Sequence, residues 1–374
     1  MRKSDNIDIV DRERGVEVGR RLAKASTLPS RVYTEPVVLE EEKGRVFGRT
    51  WQLVGHADAV VAAGQYFTAA IADEPILVVR GEDRLRALSN VCRHRAGPVA
   101  ADEGSCRAFR CGYHGWSYGL DGSLLNTPEF DGVEDFDKKD HALPEFALEE
   151  WLGLIFVHLG TPSRSLATEL EDLPGKLGDR GLESMRLAHR KEWEVACNWK
   201  VYVDNYLEGY HIPIVHPGLM KEIDYARYET ETRQIYSIQH SPIKKTPEGK
   251  LRGGSGDEAM FFWIYPNLML NVYPDNFSTN LIVPLSHDRT LTLFEWYFRE
   301  PESPATKRLV EETVVFSDEI QREDIAICEA VQRGLKSRTY DRGRYSLRRE
   351  NGVHHFHRLY AAAMQGRESG IGNR

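Results

Sequence analysis

Two short runs of the chain hold side chains that can bind metal. Cys92-x-His94 and Cys111-x2-His114 put two thiols and two imidazoles into one segment, CRHRAGPVAADEGSCRAFRCGYHGW (92–116). Cysteines are few and odd in number, five in all. A charged N-terminus without an apolar core predicts a cytoplasmic protein, and a reducing cytosol disfavours disulfides. Metal is therefore the better reading. Two thiolates with two imidazoles suit tetrahedral zinc or an iron–sulfur cluster. Three features weigh against zinc: each pair mixes Cys with His, the flanks are β-type with no helix-borne His pair, and the second loop is rich in glycine, which lets backbone amides approach sulfur. Cys106 lies between the pairs and has no place in the pattern; it reads as a buried or spare thiol.

The second run is CNWKVYVDNYLEGYHIPIVHPGLM (197–220). Read as one helix near 196–211, it places Asp204, Glu208 and His211 at i, i+4 and i+7 on one face. Pro213 then disturbs the helix, and His216 follows the bend. Two His are two-thirds of a facial triad for non-haem Fe(II). The missing carboxylate is sought in DEIQREDIAICEAVQRGL (318–335), read as an amphipathic helix with Ile320, Ile327, Cys328, Val331 and Leu335 inward. Asp324 falls on that stripe, where an acid is costly unless paired or metal-bound. It is expected as the third ligand, with Glu319 and Glu323 nearer the flank.

The elements that must carry these residues fall into blocks. Residues 1–48 read as a polar, partly helical segment packing on the second of two domains. From 49 to 160 short β-type runs (WQLVGHADAVV, QYFTAAI, EPILVVRG, LRALSNVC, GLIFVHLG) alternate with Gly, Asp and Glu, predicting a small all-β domain with the Cys/His pairs in its loops. LGTPSRSL (159–166) reads as a linker. From 167 to 374 long strands (FFWIYPNLMLNVYP, STNLIVPL, LTLFEWYF) mix with helical stretches near 196–211 and 304–335, predicting an α+β domain with an antiparallel sheet covered by helices.

Composition narrows the function. Hydrophobic content of 41%, charged content of 28% and a formal charge of −8 fit a globular protein and argue against nucleic acid or an anionic membrane as partner. No apolar run is long enough to span a bilayer. No Gly-rich loop of the dinucleotide type occurs in a strand-to-helix setting, so NAD(P)H is expected to act only through another protein.

With these residues in view, C-x-H followed by C-x2-H, then YHGW and DGSL, resembles the Rieske [2Fe–2S] family. That resemblance implies that Cys92 and Cys111 hold one iron, and His94 and His114 the other. The acid-x3-acid-x2-His-x4-His run at Asp204, Glu208, His211 and His216 resembles the catalytic α subunit of the Rieske non-haem iron oxygenases, with a helix-grip catalytic domain. NWK (198–200), DNYLEGYH and QREDIAICEAVQRGL look closest to its choline-monooxygenase-like branch. The resemblance spans about residues 45–360. It implies mononuclear Fe(II) on His211, His216 and Asp324, a separate flavin/iron–sulfur reductase as partner, and a head-to-tail homotrimer. In that trimer the second acid bridges the iron His to a cluster His of the neighbouring subunit. Most of the family has Asp at this position; here it is Glu208.

The implied reaction uses O2 to hydroxylate a small organic substrate of choline or betaine type, demethylating it where an N-methyl carbon is attacked. Aromatic-ring hydroxylation is the alternative within the class, and a Rieske electron carrier without oxygenase activity the alternative outside it. Phe261, Trp263 and Tyr265 alternate along one strand and, with Tyr273, are expected to form an aromatic wall of the substrate pocket.

Overall fold

The structure is a computed structural model that describes residues 18–244 and 258–366. Most of the charged N-terminal stretch and the last eight residues lie outside the described residues. The chain divides into two compact units, Phe47–Glu169 and Met1–Val46 with Leu170–Arg374.

The smaller unit is all-β, as its short β-branched runs require. Its strands are β1 (Gln52–His56), β2 (Gln65–Ile71), β3 (Glu74–Arg80), β4 (Leu85–Ser89), β5 (Glu103–Ser105), β6 (Phe109–Arg110), β7 (Ser117–Tyr118), β8 (Leu124–Asn126), β9 (Glu145–Trp151) and β10 (Leu154–His158). Seven form an antiparallel sheet in the order β1-β10-β9-β4-β3-β2-β5, and β6-β7-β8 form a small second sheet. Leu77, Val79 and Leu88 of the large sheet share one core with Phe109 and Tyr118 of the small one and with Trp116 just before β7. That shared core holds the two Cys/His loops against each other.

The larger unit is built on a second antiparallel sheet, ordered β11-β17-β16-β15-β14-β13-β12. Its strands are β11 (Arg186–Val195), β12 (Glu229–Thr232), β13 (Tyr236–Pro242), β14 (Glu258–Ile264), β15 (Leu268–Val272), β16 (Asn276–Ser286) and β17 (Arg289–Phe298). Among the described residues, four helices of eight residues or more accompany it: α1 (Pro36–Arg45), α2 (Trp199–Tyr206), α3 (Pro304–Leu335) and α4 (Asn351–Met364). Side chains alternate across the sheet, so cross-strand partners form rows on one face. One row runs Gln239, Phe261, Asn271, Ser278 and Trp296. The next runs Trp263, Met269, Asn280 and Phe294.

Two expectations about the helices need correction. The helix expected to run from 196 to 211 stops at Tyr206, and its last cap bond is Leu207 N–H to Val203 O. The Glu208 carboxylate then accepts the backbone N–H groups of Tyr210 and His211, offering the chain an alternative to further helix. Gly209 is also closely hemmed in, since a Cβ there would sit 2.7 Å from the Tyr228 ring. On α3 the buried residues are Val310, Asp318, Gln321, Cys328 and Gln332, whereas Ile327 and Val331 are exposed. Hydrogen bonds hold the polar part of that buried side. Gln321 pairs with Tyr202 and with Thr292, and Gln332 accepts the Asn198 N–H.

A buried ion pair ties α1 to α2 and α4. Lys200 Nζ lies 2.5 Å from Glu42 Oε1, both side chains being fully buried. Trp199 Nε1–H and Tyr360 O–H donate to the same carboxylate at 2.7 and 2.6 Å. The rings of Tyr33, Trp199 and Tyr360 surround the ammonium. Satisfied on this many sides, the pair avoids the penalty of a bare buried charge.

Candidate metal centres and active-site pocket

The two Cys/His loops are copies of one backbone device. In the first, Cys92 N–H bonds Gly97 O and Ala96 N–H bonds Cys92 O; in the second, Cys111 N–H bonds Trp116 O and Gly115 N–H bonds Cys111 O. The fifth residue of each loop is left-handed, Ala96 at φ 55° and Gly115 at φ 76°. Each loop thus turns back over its own cysteine. Cys92 and Cys111 are buried free thiols. The His94 and His114 rings lie 4.6 Å apart, and Trp116 stacks on His94 at 4.8 Å.

This site fits a two-iron cluster on several counts. His94 Nδ1 is buried with no hydrogen-bond partner, as a nitrogen meant for metal would be. Tyr118 Oη is 3.3 Å from Cys92 Sγ, a hydrogen bond of the kind that tunes a cluster sulfur. A Cβ on Gly97 would come within 3.1 Å of Cys111 Sγ, so the backbone passes close to that sulfur. Cys106 is half-buried against the same core, and burial raises its thiol pKa.

The second centre is assembled from two separate stretches. His211 lies in the loop after α2, and His216 in the break between the short helices Ile212–Val215 and Pro217–Glu222. Asp324 projects from the middle of α3. One ligand atom from each of the three lies within 4.8 Å of the others. His211 Nδ1 is 2.7 Å from Glu208 Oε1, and His216 Nδ1 is 2.6 Å from Glu323 Oε2. With both Nδ1–H groups donated to carboxylates, the lone pairs sit on the Nε2 atoms. These face Asp324 Oδ1 at 3.7 Å from His211 and 3.0 Å from His216. Three electron-rich atoms this close repel unless a cation lies among them. A divalent ion fits here, and the two outer carboxylates are the partners that orient metal-bound imidazoles.

Without a metal, the surroundings favour a proton on His216. Burial pulls the His216 pKa down, but the hydrogen bonds and charges of Asp324 and Glu323 outweigh it and leave it raised. Asn205 Nδ2–H donates to Asp324 Oδ1 at 2.6 Å, aiming the carboxylate.

A cavity of about 200 Å³ opens beside this triad. Its floor is the sheet row of Gln239, Phe261, Asn271, Ser278 and Trp296, with Asn280 and Phe294 next to it, and α2 and α3 cover it. Tyr273 also lines it. The other two residues of the expected aromatic wall do not. Trp263 shares the sheet face with Phe261 but lies one row further along, where Phe356 of α4 covers it at 5.4 Å. Tyr265 is buried beside Trp263, their rings 5.9 Å apart.

Asp204 is likewise outside the lining. Because α2 ends before Glu208, the single face proposed for Asp204, Glu208 and His211 does not form. Asp204 instead accepts from Tyr33 O–H at 2.8 Å and pairs with His357 Nε2 at 2.8 Å. Tyr345 Oη lies 2.7 Å from His357 Nδ1, closing a buried network. Sequence reasoning missed Glu323, which it put on the flank, and Asn205. The one local signal for Glu323 was its place directly before Asp324.

Paired Cys/His loops in one unit and a His–His–Asp pocket in another are the parts of an oxygenase with its own electron-relay cluster. Residues 50–137 match the Rieske [2Fe-2S] domain, and residues 182–366 match the ring hydroxylating alpha subunit (catalytic domain). The chain is 36% identical to a chloroplastic choline monooxygenase of Arabidopsis thaliana, over 90% of this chain and 83% of that one. It is 35% identical to the carnitine monooxygenase oxygenase subunit of Escherichia coli K12, over 90% of this chain and 94% of that one. A quaternary ammonium Rieske monooxygenase solved with L-carnitine superposes with a TM-score of 0.80 at 31% identity, covering 91% of this chain and 96% of that one. The chain belongs to the Rieske non-haem iron oxygenase alpha subunits, in their choline-monooxygenase-like branch. It is an iron-dependent oxygenase whose cofactors are a Rieske [2Fe–2S] cluster and a mononuclear iron. As a terminal oxygenase it takes electrons from a reductase and acts on its substrate with O2. Among the described residues no helix is long and apolar enough to cross a membrane.

Proposed function

We propose that this chain oxidises a small quaternary ammonium compound of choline or betaine type, as a cytoplasmic head-to-tail homotrimer served by a flavin/iron–sulfur reductase. The observation that carries the reading is the cavity beside His211, His216 and Asp324, walled by Phe261, Tyr273, Phe294 and Trp296. Aromatic faces attract a trimethylammonium group by about 0.5–2 kcal/mol each. Relatives that act on choline and carnitine support the same substrate class.

In this reading Cys92, Cys111, His94 and His114 hold the cluster, and His211, His216 and Asp324 hold the mononuclear iron. When bound, the iron supplies O2 activation and the cluster the one-electron reductions that it needs. The protein's part is to position. Glu208 and Glu323 keep protons on the Nδ1 atoms and so present both Nε2 atoms inward. Asn205 holds Asp324, and the aromatic wall brings the substrate carbon beside the triad while excluding water. Glu208 Oε1 accepts from His211 and keeps a second lone pair. It can therefore also accept from a cluster histidine of the neighbouring subunit, the bridging role. His114 is exposed, as that route requires.

The test is a single turnover with the iron-loaded, chemically reduced protein and labelled O2. Label in the product, or formaldehyde release, from a quaternary ammonium compound is the expected result. Oxygen placed only on aromatic rings would overturn the reading. Iron analysis accompanies it, with about three Fe per chain expected from the ligand count and about two after Asp324→Ala. Two in the unmodified protein would reduce it to an electron carrier.

A further inference from the structure

The cavity beside the triad is long as well as aromatic. Taking the quaternary ammonium reading as given, we infer that its outer half is a subsite for an apolar chain. The substrate class is then a trimethylammonium compound with a hydrocarbon chain, its N-methyl carbon at the triad and its chain laid along α3.

The length follows from α3. Leu309, Thr313, Phe316, Ile320 and Asp324 all line the cavity. Steps of three or four residues keep them on one helical face. From 309 to 324 the helix advances about 22 Å at 1.5 Å per residue. Three contacts give the direction. Thr306 Oγ1–H donates to Arg299 O at 3.3 Å, and Gln321 Nε2–H donates to Thr292 Oγ1 at 3.1 Å. Between them Asp318 pairs with Lys191, the register partner of Phe294. Thus α3 runs antiparallel to β17, and its N-terminal half lies over the Trp296–Phe298 end of that strand. Phe298 is the register partner of Asn276, whose carbonyl accepts the Tyr273 N–H at 2.9 Å. The cavity therefore leads from the triad toward the turn between β15 and β16, where Tyr273 and Asn276 line it.

Its walls along this path are largely apolar. The helix contributes Leu309, Phe316 and Ile320, and the sheet contributes Phe261, Tyr273 and Trp296. All of these except Trp296 are only half-buried, so apolar surface is left open. Phe261 and Tyr273 meet edge to face at 5.9 Å. A volume of about 200 Å³ drawn out along such a length makes a narrow passage, which a hydrocarbon chain can thread. Water there wets apolar surface on both sides; a chain displaces it and gains the burial free energy of each methylene. Glu312 is exposed on the same stretch of α3. It marks the mouth, where the gain from a longer chain should stop.

The test follows tetramethylammonium and the butyl, hexyl and octyl trimethylammonium ions with the iron-loaded holoenzyme. Formaldehyde release is measured under excess chemical reductant, and binding by calorimetry. The expected result is that kcat/KM and affinity rise together, roughly threefold to fourfold per added CH2. Ser317→Phe narrows the passage from α3 and should flatten the rise from butyl to octyl, with the visible spectrum of the cluster reporting on folding. A merely structural defect would lower every member of the series alike and leave the slope unchanged. Equal kcat/KM across the series, with tetramethylammonium consumed, would overturn the inference and make the outer half an entry passage, while the quaternary ammonium reading stands. Consumption of no quaternary ammonium compound, with an aromatic ring hydroxylated instead, would overturn both. An unchanged slope in Ser317→Phe would also overturn the inference, because the chain would then bind outside the passage.

Discussion

Glu323→Ala removes the 2.6 Å contact that holds His216 Nδ1, while leaving all three inward-facing ligand atoms in place. The imidazole then loses both the acceptor that fixes its tautomer and the charge that raises its basicity. Loss of such a supporting carboxylate costs 10–100-fold in metal affinity, about 1.4–2.7 kcal/mol. Glu323 is 28% exposed, so water can replace part of the contact and the loss belongs near the lower end, about tenfold. The assay strips iron anaerobically with a chelator and back-titrates Fe(II), reading mononuclear occupancy against Asp324→Ala as the empty baseline. The visible spectrum of the Rieske cluster serves as an internal control for folding. Glu319→Ala, one turn away and exposed, should leave the titration unchanged. If Glu323→Ala also bound Fe(II) as the unmodified protein does, with the cluster intact, then Glu323 does not orient His216 and the reading of that side of the triad fails.

Three further outcomes are expected. Glu208→Gln should keep both metals and a reducible cluster yet lower turnover roughly 10–100-fold, since the amide can hold His211 but carries no charge for the path between centres; normal turnover would exclude the bridging role. Lys200→Met leaves Glu42 buried and uncompensated and should cost about 3–5 kcal/mol in urea unfolding, whereas Lys200→Met with Glu42→Leu should recover most of that loss. The third concerns pH. A histidine raised in the folded state, as His216 is without metal, adds stability that is full below its unfolded value of about 6.5 and is lost as pH rises through the folded value. The metal-free protein should therefore lose this contribution as pH rises above about 6.5, while Fe(II) affinity rises over the same range because a proton no longer competes. Thermal melts with and without iron, and Fe(II) titrations across that range, check both trends; an iron affinity independent of pH would contradict the Nε2 assignment.

Short-range features of this protein were readable from residue order. Cys92 and His94 sit in one tight turn, and so do Cys111 and His114, so their spacing already implies shared coordination. His211 and His216 are likewise near neighbours. The β-branched runs and the length of α3 followed from composition and periodicity, because those patterns act within a few residues of themselves. Asp324 was reachable for a different reason: an acid on the buried side of a helix demands a partner wherever the helix packs.

Everything that depends on which faces meet was decided by the tertiary structure. Periodicity put Ile327 and Val331 inward, yet α3 turns a polar stripe inward because Tyr202, Thr292 and Asn198 offer it hydrogen bonds across 29 to 134 residues of sequence. Alternation along β14 placed Phe261 and Trp263 on one face. Only the docking of α4 decides that Phe261 lines the cavity and Trp263 lies under Phe356. Asp204 has the spacing of a site residue but is drawn into the Tyr33–His357 network, because α2 ends where Glu208 turns back to take the N–H groups of Tyr210 and His211. Glu323 has no periodic signal at all. The ligand types are written in local order because a turn brings neighbours together at little entropic cost, whereas the residues that orient those ligands come from distant segments, and only the packed sheet and helices bring them within hydrogen-bonding reach.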